Sequence, residues 1–266
     1  MQRLSNNFRP KFTDEECMTI YLFGIAEGKF ELKAIYEFIK DYWTDWFPAL
    51  SSYQKFNKRV NMLADAFRAL CALLITERGI DETIHTHLLD SMPITVASAK
   101  RSNGAKAAKG LCDKGFCPTK GTWYYGVKLH VLGQKQYGTL PKLCLAHVAP
   151  ASLHDVTIAK AWLMDNVRNL DIFADKAYVD QALIDLMASQ NVNLFLCVRK
   201  KIGQEFLEAA DEVFSRAVSR TRQAIESFFN WIQQKTRIQS ASKVRSTNGL
   251  IAFIFARLAA LAFFYW

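Results

Sequence analysis

The chain has 266 residues, half of them apolar and 13% aromatic, which is enough for one large core or two ordinary ones. Charged residues make up 22%, so an intrinsically disordered chain is excluded. The net charge of +9 and pI of about 9.2 point to a polyanionic partner, nucleic acid before anionic membrane.

Six cysteines are scattered along the chain and none forms a CxxC pair. Zinc-type spacing is therefore missing, and a reducing cytoplasm is the expected compartment. The N-terminal MQRLSNNFRPKF has no apolar signal core.

In chain order, Thr13-Asp14-Glu15-Glu16 reads as a capping box that opens a buried helix ending at Gly28. Leu32–Trp43 and Tyr53–Ile75 are predicted as two further helices, the latter carrying Lys55, Lys58 and Arg59 on its first turns. Residues 1–80 are expected to be an all-helical region. It would either bind DNA through those cations, near a helix start, or cap the main domain.

Residues 81–266 are expected to form the main domain. Ile84–Met92 reads as a strand, with Asp90 near its end and Pro93 after it. His85 and His87 fall on the face opposite Asp90, and no third ligand of matching spacing joins them. Residues 97–122 are predicted as a long loop with Lys100, Arg101, Lys106, Lys109, Lys114, Lys120 and a single acid, Asp113. Such acid depletion suits phosphate contact.

Trp123–Leu132 and Leu140–Ala149 alternate as strands joined in a hairpin. Ser152 and Asp155 are placed to cap a helix running to Arg168. Asp171–Asp175 is a short strand ending in an acid, a helix spans Val179–Gln190, and Asn193–Val198 reads as a buried parallel strand. A charged connector runs to Phe214.

The helix Val218–Arg237 then buries Ile225, Phe228, Phe229 and Ile232. It holds Arg222, Glu226 and Gln233 within roughly 40° on one flank. The apolar run from Gly249 has Arg257 in its middle and reads as a buried helix, with no membrane partner.

These elements predict an α/β fold, a mixed sheet flanked by helices and preceded by a helical region. Ligands of such sheets sit at the carboxyl ends of strands, where Asp90 and Asp175 fall. With Glu226 they would make a three-carboxylate site for a hard divalent cation, magnesium by ligand type. Two such ions can assist in-line phosphoryl transfer.

The segments LLDSMPI, IFADKAYVD and RTRQAIESFFNWIQ resemble the three acidic blocks of DDE-type bacterial insertion-sequence transposases. With TDEE and FPALSSYQKFNKR at the front, the chain is most similar to the IS-nine-eighty-two family, from Arg9 to the final helix. The resemblance implies a ribonuclease-H-like core with Asp90, Asp175 and Glu226 as catalytic and metal-holding residues. It implies Mg²⁺, with Mn²⁺ as substitute, two ions by analogy with two-metal enzymes. Transposon terminal repeats and target DNA would be the double-stranded substrates. Water would hydrolyse the end phosphodiester, and the freed 3′ hydroxyl would attack target DNA.

A homodimer and a cytoplasmic, nucleoid-associated location follow from the same resemblance. Arg222 and Lys176 would contact phosphate, and His154 and Asp155 would be auxiliary residues near the metals. Ser219 and Gln233 replace a tyrosine and a lysine common in relatives, so a hairpin route that depends on them is not implied. The alternative is a catalytically silent DNA-binding relative.

Overall fold

The structure is a computed structural model that describes residues 10–77, 79, 81–200 and 202–264. Four helices come first: α1 (Asp14–Ala26), α2 (Leu32–Tyr42), α3 (Tyr53–Met62) and α4 (Ala64–Glu77). The predicted capping box is present. The Glu16 amide donates to Thr13 Oγ1 at 3.1 Å, and the Thr13 amide donates to Glu16 Oε2 at 2.6 Å. The single helix expected over Tyr53–Ile75 is instead two, broken at Leu63.

The sheet contains β1 (Thr86–Ser98), β2 (Asp113–Cys117), β3 (Thr122–Gln134), β4 (Lys142–Pro150), β5 (Asp171–Ala174) and β6 (Asn193–Leu196). β1, β3 and β4 form an antiparallel meander, while β5 and β6 run parallel to β1. β3 pairs with β1 along one edge and shares its other edge between β2 and β4. This mixed sheet, with helices on its faces and a helical region before it, is the expected ribonuclease-H-like α/β architecture.

Two expectations for the sheet region are corrected. Residues 97–122 are not one loop. They hold the short helix α5 (Ala99–Ser102), the strand β2 and a 3-10 turn over Pro118–Lys120. β1 also runs on past Pro93 to Ser98. The Thr95 amide bonds the Gln239 carbonyl on the side away from β3, so the nitrogen of Pro93, two residues earlier, faces that side too. No β1–β3 ladder bond is lost there. Gly126 lets the same two strands close up, since a Cβ at that position would come 2.0 Å from the Ile94 carbonyl oxygen.

The helices α6 (Asp155–Leu163) and α7 (Gln181–Ala188) cover one face, around Leu89, Ile172, Leu163, Leu183 and Met187. The other face meets α8 (Ala209–Thr236) through Ile225, Phe228, Phe229 and Ile232. α8 starts well before the expected Val218, because its first two turns are exposed and carry no apolar period. The last helix, α9 (Thr247–Phe264), is apolar all round, as a helix surrounded by protein must be. It is long and apolar enough to cross a membrane, yet 72% of it is buried against α1, α3, α4 and α8. The two ends of the chain thus build one helical body, continuous with the core on the α8 side of the sheet.

Candidate active site

β1 and β5 run parallel, with Leu89 opposite Ala174 as their last pair. The next residues are Asp90 and Asp175, so two carboxylates leave neighbouring strands side by side. Asp90 lies on the strand face that also carries Leu88 and Met92, toward α8. Arg222 comes down from α8 between them. Its Nη2 lies 2.9 Å from Asp90 Oδ2, and its Nη1 lies 3.7 Å from Asp175 Oδ1.

Each acid is also fixed by its own backbone. The Ser91 amide donates to Asp90 Oδ1 at 2.8 Å, and the Lys176 amide donates to Asp175 Oδ1 at 2.7 Å. Loss of water pushes the Asp90 carboxyl up to about 6. Arg222 and the Ser91 amide oppose that shift, and the charges of Asp175 and Asp155 reinforce it. One arginine therefore does not fully compensate the acids gathered here.

Asp155 reaches the same place from the opposite face of the sheet. Its Oδ1 accepts from Lys128 Nζ at 2.9 Å and from Ser91 Oγ at 3.3 Å. It lies 4.0 Å from His130 Nε2. The capping role expected for Asp155 with Ser152 is not observed. His154 occupies the cap position of α6 without a side-chain cap bond, and Ser152 donates instead to Asp113. Burial drives the His130 imidazole down to about 4, against the pull of Asp155 and helped by Lys128 and His147. The Tyr178 hydroxyl is buried beside Asp155 and Asp90, which raises its pKa further above the ordinary value.

Sequence reasoning missed Ser91, Lys128, His130 and Tyr178. The signal for two of them was present: Lys128 and His130 alternate with the apolar residues of β3 and so share one face.

The other predicted residues are dispersed. Glu226 is exposed on α8, one turn beyond Arg222. Among the described residues no three acids, histidines or cysteines stand close enough to hold a metal ion. His87 is buried, its Nδ1 2.8 Å from the His85 carbonyl. Lys176 is exposed next to Asp175. Lys100, Arg101, Lys106 and Lys109 are exposed on the segment between β1 and β2.

Lys55 and Lys58 are exposed and, with Lys11, line an open basic cleft of about 600 Å³ beside α3. Arg59 in that cleft is committed within the protein. It donates to the Phe12 carbonyl, lies over the Phe12 ring and sits 3.6 Å from Asp14.

Residues 78–247, well over half the chain, match the model of the transposase DDE domain. That span includes the whole sheet, both aspartates and α8. The chain belongs to this family, a class of DNA-acting enzymes of nuclease and transferase type that use divalent metal ions. No curated protein matches it. The donors found here fit such an ion in kind: two neighbouring carboxylates just past the last β1–β5 pair, that of Asp90 stripped of water and that of Asp175 partly open to it.

Proposed function

We propose that the protein is a DNA transposase of the IS-nine-eighty-two type. It would cleave transposon ends and transfer the freed strand into target DNA. The observation that supports this most is the side-by-side placement of Asp90 and Asp175 just past the last β1–β5 pair, with Arg222 between them.

Asp90, Asp175 and Glu226 are the residues proposed to hold magnesium, two ions in the full site, with manganese as substitute. Glu226 is one helical turn from Arg222 on the same flank of α8, which supports its inclusion. The bound ions would activate the attacking oxygen and stabilise the leaving one at the scissile phosphate.

The chain's own residues supply the rest. Ser91 and Lys176 amides hold the two aspartates in place. Arg222 and Lys176 bring positive charge to the phosphate. His154 and Asp155 are auxiliary, Asp155 by tying Ser91 to Lys128 behind Asp90.

Lys100, Arg101, Lys106 and Lys109 would grip the DNA backbone. The helical body, through Lys55 and Lys58, would bind the transposon end, with Arg59 buttressing that cleft from within. A homodimer would pair two ends, working in the bacterial cytoplasm at the nucleoid.

The test is strand nicking of the cognate terminal repeats with Mg²⁺ or Mn²⁺. Asp175→Asn and Asp90→Asn are expected to abolish nicking while gel-shift binding persists. Nicking at the wild-type rate by either variant would refute the site. A catalytically silent DNA-binding relative is the second reading, favoured by the fact that no three acids among the described residues stand close enough to hold an ion. It predicts DNA binding with no nicking by the wild type.

A further inference from the structure

Phe116 and Trp123 face each other across β2 and β3, with ring centroids 5.2 Å apart and planes inclined by 55°. Both are large apolar rings left in water, 45% and 51% exposed. The hairpin that carries them is firmly held on its other face. Gly115 packs so closely on Ala151 that a Cβ would come 2.5 Å from the Ala151 carbonyl oxygen. Ser152 Oγ donates to Asp113 Oδ2 at 2.7 Å. The rings are therefore presented by a fixed support.

A cation completes the group. Lys114 Nζ lies 4.8 Å from the Trp123 ring centroid and is steered there by Asn103 Oδ1 at 2.7 Å. The same stretch of chain, from β1 to β3, carries the exposed Lys100, Arg101, Lys106, Lys109 and Lys120. Trp46, the other exposed tryptophan among the described residues, differs in this respect, because its neighbours in sequence include Asp41 and Asp45.

We infer that Phe116 and Trp123 form a stacking site for an unpaired base of the DNA held by this basic segment. The inference rests on the DNA-binding reading above. Paired bases in a duplex hide their faces in the stack, so an aromatic platform selects a strand that is single or locally opened. The exposed lysines of the same segment meet the backbone of that strand. The site is separate from the carboxylates. Asp90 pairs with Val131 and Ser98 with Tyr124, which places the rings about 25 Å along β1 from Asp90. That distance is about seven base-pair steps.

The experiment measures binding of the full chain to oligo(dT) and to a blunt duplex of mixed sequence by fluorescence anisotropy. Trp123→Ala and Phe116→Ala are each expected to lose about tenfold in oligo(dT) affinity, with duplex affinity held within about twofold. Trp123→Phe should retain most of the oligo(dT) binding, and Trp46→Ala all of it. Unchanged duplex binding doubles as the proof that the variants fold.

Oligo(dT) affinity that is the same in Trp123→Ala as in wild type overturns the inference. So does wild-type protein that binds the duplex but not oligo(dT), or a Trp123→Ala defect that appears only in self-association. Failure of the wild type to bind either DNA sinks the DNA-binding reading itself.

Discussion

Arg222 crosses from α8 to place one guanidinium nitrogen 2.9 Å from Asp90, a residue 132 positions earlier in the chain. The arginine is buried, with a side chain only 8% exposed. Removing one partner of such a pair strands the other's charge, at a cost of about 3 kcal/mol. Arg222→Met is therefore expected to lose about that much stability in urea unfolding without added metal. Asp90→Asn in the same background should recover part of the loss, because a neutral amide needs no countercharge. If the two changes are simply additive, the pair is not coupled.

Glu226 makes a contrasting case. It is exposed, so Glu226→Gln should leave metal-free stability within about 0.5 kcal/mol of wild type. If it is the third metal-holding acid, the same variant lowers Mn²⁺ affinity in a titration followed by electron paramagnetic resonance, and it abolishes nicking. Unaltered Mn²⁺ affinity together with unaltered nicking would remove Glu226 from the site.

The basic segment makes a prediction that needs no chemistry. Lys100, Arg101, Lys106 and Lys109 are exposed on one stretch between β1 and β2. Each that meets a phosphate releases about one counterion. Changing them singly to glutamine should weaken duplex binding uniformly across sequences and reduce the salt slope by about one apiece. A variant with an unchanged slope marks a residue that does not touch the backbone.

What could be read from the sequence was what local pattern controls. The Thr13–Glu16 capping box, the hairpin of β3 and β4, the acid closing β5 and the burial of α9 are all set by neighbours within a few residues. The extension of β1 through Pro93 was not legible, because it depends on which side of the strand is left unpaired. β2 was hidden by the glycines and cations of its segment. Asp175 could be placed at its strand end, whereas Asp90, expected near the end of β1, lies inside it, and the arginine that joins the two is a tertiary contact no periodicity encodes. The same holds for Lys128 and Ser91 on Asp155, brought together from three separate elements.

His130 gives the stability a pH dependence. It is 1% exposed on β3, facing Asp155 from α6, Lys128 on its own strand and His147 on β4. Burial holds its pKa at about 4, below the ordinary 6.5, so between those values the unfolded chain binds the extra proton. The neutral imidazole's contribution is complete above about pH 6.5 and is lost as the pH falls toward 4. Its full size is about 3 kcal/mol. His130→Gln removes this titration. The stability of wild type minus variant should therefore fall between pH 7 and pH 4.5 in paired urea titrations, with contributions common to both proteins, that of Asp90 included, cancelling. A difference that stays flat with pH would mean that His130 takes up its proton as readily in the folded protein as in the unfolded chain.

Arg257 poses a question of which of two large effects wins. It is 1% exposed in the middle of α9, and burial pulls its pKa down. Its guanidinium donates to the Thr236 carbonyl at 3.0 Å, the Tyr21 hydroxyl at 3.0 Å and the Phe30 carbonyl at 2.7 Å. It thus joins the end of α8, α1 and the α1–α2 connection to the last helix. Arg257→Met would relieve the cost of a buried charge, which by itself stabilises. It would also leave three acceptors without their donor, at about 1–3 kcal/mol each. Thr236 lies at the C-terminal end of α8, where the helix dipole adds to the attraction for a cation. The lost bonds should therefore prevail, with a net destabilisation of about 3 kcal/mol for Arg257→Met and about 1 kcal/mol for Tyr21→Phe. Urea unfolding decides the matter: an Arg257→Met protein as stable as wild type would mean that the charge, and not its hydrogen bonds, dominates at this junction.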